Sequence, residues 1–289
     1  MSLIKLVFSL LLALVALDAY SISETECIKD LSPGVRKTYY CKGQSYNLSV
    51  SEKCAEEGGC GLIIDVHGLT MDAYQQDQNT GLSVSGPAND FIVMQPFAPQ
   101  RSWHEGHYPN VYDFSRQVRE AFDVDENRLH MTGFSQGSMM TLWFMCVYRD
   151  EFASYAPTAA ASAAVCNGIE GGIPDLPIIY QHGWHDGRAS WAGAESFYKK
   201  VISEREYEVT LDIGDRYSHR TEWLSPKGNS FVLLSHGYRT SYWWGSGHCM
   251  PGAPYRNVYS CRGRHAYSWG AEVLKFFIEN PKEVELDYE

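Results

Sequence analysis

Unbroken apolar runs alternate along this chain with segments whose apolar residues recur every three or four positions. Residues 61–69 read GLIIDVHGL, a continuous apolar run ending in His-Gly, and residues 91–96 read FIVMQP, closed by proline. Short runs of this kind suit central strands covered on both faces. Residues 129–132, 152–156 and 178–181 read as three more strands. Between them, Val111, Phe114, Val118 and Phe122 fall at the spacing of one helix face. Met139, Met140, Leu142, Trp143 and Phe144 predict a buried helix from Ser138 onward. Residues 191–204 and 270–278 predict two further helices, the last with Leu274, Phe277 and Ile278 inward and a stop at Asn280-Pro281. Residues 221–224 and 231–234 flank Pro226-Lys227-Gly228-Asn229, a hairpin signal. Residues 22–58 read as irregular, with an edge strand at 45–50. The alternation implies an α/β fold: a mainly parallel central sheet with helices on both faces, and a ligand site at the carboxyl ends of the strands.

One strand-to-helix junction carries chemistry. Gly133-Phe134-Ser135-Gln136-Gly137 is a G-x-S-x-G pentapeptide between the strand at 129–132 and the helix after Ser138. On such a turn the serine hydroxyl stands clear above the sheet, and flanking glycines let strand and helix pass closely. Ser135 is the candidate nucleophile. The Gln136 amide is a candidate oxyanion donor.

A serine nucleophile needs a base, and the base needs an orienting acid, in the chain order serine, acid, histidine. Asp186 lies in a glycine-flanked loop, His182-Gly183-Trp184-His185-Asp186-Gly187, after the strand at 178–181. For the base, His236 and His248 both follow predicted strands. The glycine-rich setting Gly245-Ser246-Gly247-His248 favours His248, while chain order leaves both open. The loop His67-Gly68-Leu69 is expected to supply a second oxyanion amide, from Leu69, with His67 in a structural role.

The chain's 289 residues carry a net charge of −11 without basic clusters, which argues against nucleic acid or an anionic membrane surface as a partner. Residues 1–21, with Lys5 ahead of an apolar run and small residues at Ala19 and Ser21, read as a secretory signal peptide, too short to span a membrane. Residues 22–289 then form one catalytic domain, soluble and secreted to an extracellular setting. All eight cysteines lie in that part, implying disulfides, with Cys146–Cys166 and Cys249–Cys261 as candidate local bridges. The sequon at Asn47 is a candidate glycosylation site if the source is eukaryotic.

Four motifs together resemble the polyhydroxybutyrate-depolymerase-type esterases, a group related to secreted feruloyl and acetylxylan esterases. They are His-Gly after an early strand, the serine elbow followed by Met-Met, His-Gly-x-x-Asp, and Gly-x-Gly-His-x-x-Pro-Gly, in that order from about residue 61 to 277. The resemblance implies an α/β-hydrolase fold and no cofactor. It implies Ser135, Asp186 and His248 as catalytic residues, and so prefers His248 to His236. It also supports an oxyanion hole from Leu69 and Gln136. The chain departs from that family's pattern at Leu69, at Met250 and in an insertion-like stretch at 237–244. The substrate is therefore less determined than the chemistry: a hydroxyalkanoate, feruloyl or acetyl ester, on a polymer or polysaccharide.

Trp103, Trp184, Trp191, Trp243 and Trp244 fall in or beside loops expected to rim the site. Trp103, Trp184, Trp243 and Trp244 are the candidate substrate-binding aromatics. His104-Glu105-Gly106-His107 is one residue short of H-E-x-x-H and is broken by glycine, so no metal site is expected. A serine peptidase of the same fold, or a non-catalytic binding or adhesion protein built on it, are the competing readings.

Overall fold

A computed structural model describes residues 22–241 and 246–282. The signal-peptide segment, Trp243 and Trp244 lie outside the described residues. Ten strands form one sheet: β1 (Gly34–Cys41), β2 (Gln44–Val50), β3 (Gly61–Val66), β4 (Phe91–Pro96), β5 (Leu129–Phe134), β6 (Ser154–Thr158), β7 (Ile178–Gly183), β8 (Glu208–Gly214), β9 (Ser218–Leu224) and β10 (Ser230–His236). The helices are α1 (Glu52–Glu56), α2 (Ala73–Thr80), α3 (Leu82–Ser85), α4 (Tyr108–Ala121), α5 (Gln136–Val147), α6 (Trp191–Glu204) and α7 (Trp269–Glu279).

The spatial order is β1-β2-β4-β3-β5-β6-β7-β10-β9-β8. The six strands from β4 to β10 run parallel to one another. Antiparallel pairs close both ends, β1–β2 beside β4 and β9–β8 beside β10. The apolar runs therefore occupy the middle of the sheet, where both faces are dry. Leu62, Ile64 and Val66 of β3 pack with Phe114 of α4, Met140 and Phe144 of α5 and Phe197 of α6. Ile63, one residue out of phase, packs on the other face with Phe91, Trp269, Val273 and Phe277. That period of two delivers one strand to two helical layers.

Four expectations are corrected. Residues 34–41 are a strand rather than irregular chain, so β2 is the second strand from the edge. Consequently Asn47 is only 1% exposed, with Thr38 Oγ1 donating to its Oδ1 at 2.9 Å. A glycan on that side chain is incompatible with the folded sheet, because its Nδ2 has no route to solvent. Ile278 is exposed, and Phe276 takes the inward position instead, because the buried face of α7 runs through 273, 274, 276 and 277. Met139 is 56% exposed and Trp143 half-buried, so α5 is not buried all round.

Disulfides join Cys27–Cys41, Cys54–Cys60, Cys146–Cys166 and Cys249–Cys261. The third ties the end of α5 to the loop between β6 and β7, and the fourth fastens the chain just after His248. No helix among the described residues is long and apolar enough to cross a membrane.

Candidate active site

The junction of β5 and α5 is a sharp turn. Ser135 sits at φ 55° and ψ −112°, a left-handed conformation that costs a non-glycine residue about 1–3 kcal/mol. The turn is pinned by the Ser135 amide, which donates to the Thr158 carbonyl at 2.9 Å, and by Met139, whose amide donates to the Ser135 carbonyl at 3.1 Å. Two glycines make room for it. A Cβ on Gly137 would lie 2.2 Å from the Val66 carbonyl oxygen, and one on Gly133 would lie 2.4 Å from the Gly137 backbone. The pentapeptide spacing therefore reports how closely helix, elbow and neighbouring strand approach.

Asp186 and His248 meet. His248 Nδ1 lies 2.6 Å from Asp186 Oδ2, with both side chains almost wholly buried. The carboxylate's other oxygen accepts the amides of Arg188 at 2.7 Å and Ala189 at 2.9 Å. With Nδ1–H donating to the carboxylate, Nε2 keeps its lone pair, the tautomer that a general base requires. The two loops are also joined through backbone, by a bridge between Asp186 and Ser246 and by the Gly247 amide on the His185 carbonyl at 2.9 Å. The His248 ring lies 4.7 Å from that of Phe134, the residue before Ser135. Ser135 thus follows β5 directly and Asp186 follows β7, while His248, from the segment after β10, reaches both the Asp186 carboxylate and the ring next to Ser135 in the chain.

His236 is paired otherwise. It is fully buried, its Nε2 accepts from the Gln181 side chain, and burial pushes it down to about 3. It also lies near the sulfurs of Cys249 and Cys261, but these are bonded to each other and offer no thiolate to a metal. His104 and His107 pair locally, the His104 amide donating to His107 Nδ1 at 3.2 Å in a tight turn.

The loop after β3 is braced against the elbow. His67 is buried, which pushes it down to about 4 and keeps it neutral. Its Nε2 accepts the Ala98 amide at 3.0 Å, and its Nδ1 lies 2.7 Å from the Gly68 carbonyl. Leu69 is exposed, while the Thr70 amide beside it donates to the Arg101 carbonyl at 2.8 Å.

The expectation that Trp103 offers its ring to a substrate does not hold, since only 3% of it is exposed. Its indole N–H donates to the His67 carbonyl at 2.8 Å and its backbone amide to Gln136 Oε1 at 3.0 Å. It clamps the two candidate oxyanion loops together. Trp184 and Trp191 are half-buried. The Trp184 amide holds the His236 carbonyl at 2.7 Å, and Trp191 opens α6 beside His182.

Sequence reasoning passed over one contributor, His182. Its Nε2–H donates to the Ala189 carbonyl at 3.0 Å, and its Nδ1 accepts from the Tyr180 hydroxyl at 2.7 Å. Burial lowers its pKa and keeps it neutral. It braces Ala189, whose own amide donates to Asp186. The spacing of four residues between His182 and Asp186 was the available signal.

No family model matches the chain. Over 164 residues, 55% of its length, the chain is 23% identical to a bifunctional acetylxylan esterase/xylanase of Neocallimastix patriciarum, and it spans about a quarter of that protein. Among solved structures, an acetyl xylan esterase from Aspergillus awamori superimposes with a TM-score of 0.54 at 13% identity, covering 73% of this chain and 92% of that one. A thermostable esterase superimposes with a TM-score of 0.54 at 17% identity, over 85% of this chain and 62% of that one. The chain has the α/β-hydrolase fold, which it shares with these two esterase structures.

Proposed function

We propose that the protein is an exported serine ester hydrolase with Ser135 as nucleophile, His248 as general base and Asp186 as the orienting acid. The observation that carries this reading is the 2.6 Å contact between His248 Nδ1 and the buried Asp186 carboxylate, beside a serine held at φ 55°. His248 takes the Ser135 proton as Oγ attacks the ester carbonyl, then gives it to the departing alcohol. Water, activated by the same histidine, releases the acid from the acyl-enzyme. The amides of Leu69 and Gln136 are the proposed donors to the oxyanion. The esterase neighbours favour an acyl group carried on a polysaccharide or another polymer, with acetyl, feruloyl and hydroxyalkanoate esters as the classes to try. Export is supported by the apolar amino-terminal segment and by four disulfides that use all eight cysteines.

The test is labelling of the folded protein with a fluorophosphonate, followed by peptide mapping. A stoichiometric adduct on Ser135, lost in Ser135→Ala together with ester hydrolysis, is expected. An unlabelled Ser135 in folded protein, or a Ser135→Ala variant with near-native turnover, overturns the assignment.

A further inference from the structure

A groove of about 600 Å³ opens between α5 and the loop joining β6 to β7. Met139, Leu142 and Trp143 of α5 form one wall, and Val165 and Ile169 stand opposite. Ala189 and Ser190, from the loop that holds the Asp186 carboxylate, line it too. It therefore starts one helical turn from Ser135 and lies between the elements that carry the candidate nucleophile and acid.

The far wall is held in place. The Ser138 hydroxyl donates to the Ala160 carbonyl at 2.7 Å, the Cys146–Cys166 disulfide anchors the middle of the loop, and Lys200 Nζ donates to the carbonyls of Ala163 at 2.9 Å and Val165 at 3.2 Å. A groove tied at three places is preformed, so an occupant pays little to order it.

Its chemistry is selective. Met139 and Ile169 expose apolar surface whose cover is favourable at about 25 cal/mol per Å². Glu105 is the one ionisable side chain among the described lining residues, on a chain of net charge −11, which disfavours an anionic occupant. Size decides the rest. A water molecule's share of liquid is about 30 Å³, so a two-carbon acyl group leaves most of this space empty.

On the reading of Ser135 as an esterase nucleophile, we infer that this groove receives one neutral apolar arm of the ester, an aryl group or an alkyl chain of about six to ten carbons. A substrate bearing only an acetyl group and a small alcohol leaves the apolar walls wet.

The test compares kcat/KM along two ester series: 4-nitrophenyl acetate against octanoate for the acyl side, and ethyl against octyl acetate for the alcohol side. Wild-type protein is expected to prefer the long arm by at least about ten-fold in one series. Ala164→Trp, from the exposed wall, is expected to lower that preference about ten-fold. Ile169→Glu, also exposed and adding a second carboxylate, lowers it in the same sense and serves should the first variant misfold. Preferences unchanged by either folded variant, or absent in both series, overturn the groove assignment while leaving the esterase reading intact. No turnover of any of the four esters by wild type, with no fluorophosphonate adduct, overturns both.

Discussion

The backbone amide of Trp103 donates to the side-chain oxygen of Gln136 at 3.0 Å, so the residue proposed to supply an oxyanion amide also fastens the loop that follows β4. Gln136→Ala leaves that amide without its acceptor. The expected loss is about 1–2 kcal/mol of stability in urea unfolding, with a lower kcat. Gln136→Glu keeps an acceptor for Trp103 but sets a charge beside a developing oxyanion, so stability is retained while kcat falls. Equal stability losses in the two variants would contradict this division of roles.

Asp186 has its carboxylate fully occupied by His248 and two amides. Asp186→Asn retains the shape but no longer favours the Nδ1–H tautomer of His248. The expected outcome is a fall in kcat of roughly 10³- to 10⁴-fold with the far-ultraviolet spectrum unchanged. A variant with more than a tenth of the native rate would remove Asp186 from the mechanism.

Acid stability follows from four buried groups. Burial pushes His67 down to about 4, and His130 and His236 down to about 3, against 6.5 for an ordinary histidine. It pushes Asp65 up to about 6, against 3.8, although Gln76, Gln95 and Thr80 donate to its carboxylate. At pH 5 the unfolded chain binds protons on the three histidines that the folded chain refuses, while the folded chain binds one on Asp65 that the unfolded chain releases. These four groups leave an excess of about two protons on the unfolded side, and buried His182 acts in the same sense, so stability rises with pH by roughly 3 kcal/mol per unit there. Urea midpoints measured from pH 7 down to pH 4 should fall steeply once pH drops below 6.5. A flat profile between pH 6.5 and 4.5 would show that these groups titrate as they do in water.

The Cys146–Cys166 bridge closes a loop with a sequence separation of 20. Replacing both cysteines with alanine is expected to cost about 3 kcal/mol and to open residues 160–169 to limited proteolysis, since this loop has no strand or helix of its own. If the loop resists protease in the double variant, Ser138 and Lys200 hold it without the bridge.

The parallel centre of the fold was legible because β3, β4, β5 and β7 are buried on both faces, which leaves short, mainly apolar segments in the sequence. β1 and β8 were not. Their residues are mostly exposed, Glu208, Val209 and Thr210 among them, and they are held by hairpin pairing that leaves no apolar period to read. The serine elbow was legible because its glycines answer to local backbone crowding. The inward clamp made by Trp103 was not, because a loop has no periodicity to reveal which way a ring turns. Asn47 shows a related limit: a sequon spells a possible modification, while its access depends on β1 lying outside it.

That burial of Asn47 turns the hairpin of β1 and β2 into a clock. In a eukaryotic secretory host, an oligosaccharyl transferase and the closing sheet compete for the same side chain, and the first to arrive decides the fate of the molecule. A chain whose sheet closes first keeps Asn47 bare for good. A chain modified first carries a sugar where β1, β2 and β4 must meet, and it cannot complete the sheet. The fraction of chains modified at this one site, counted over folded and misfolded protein together, would then measure how fast the amino-terminal strands dock, and every glycosylated molecule would be a lost one.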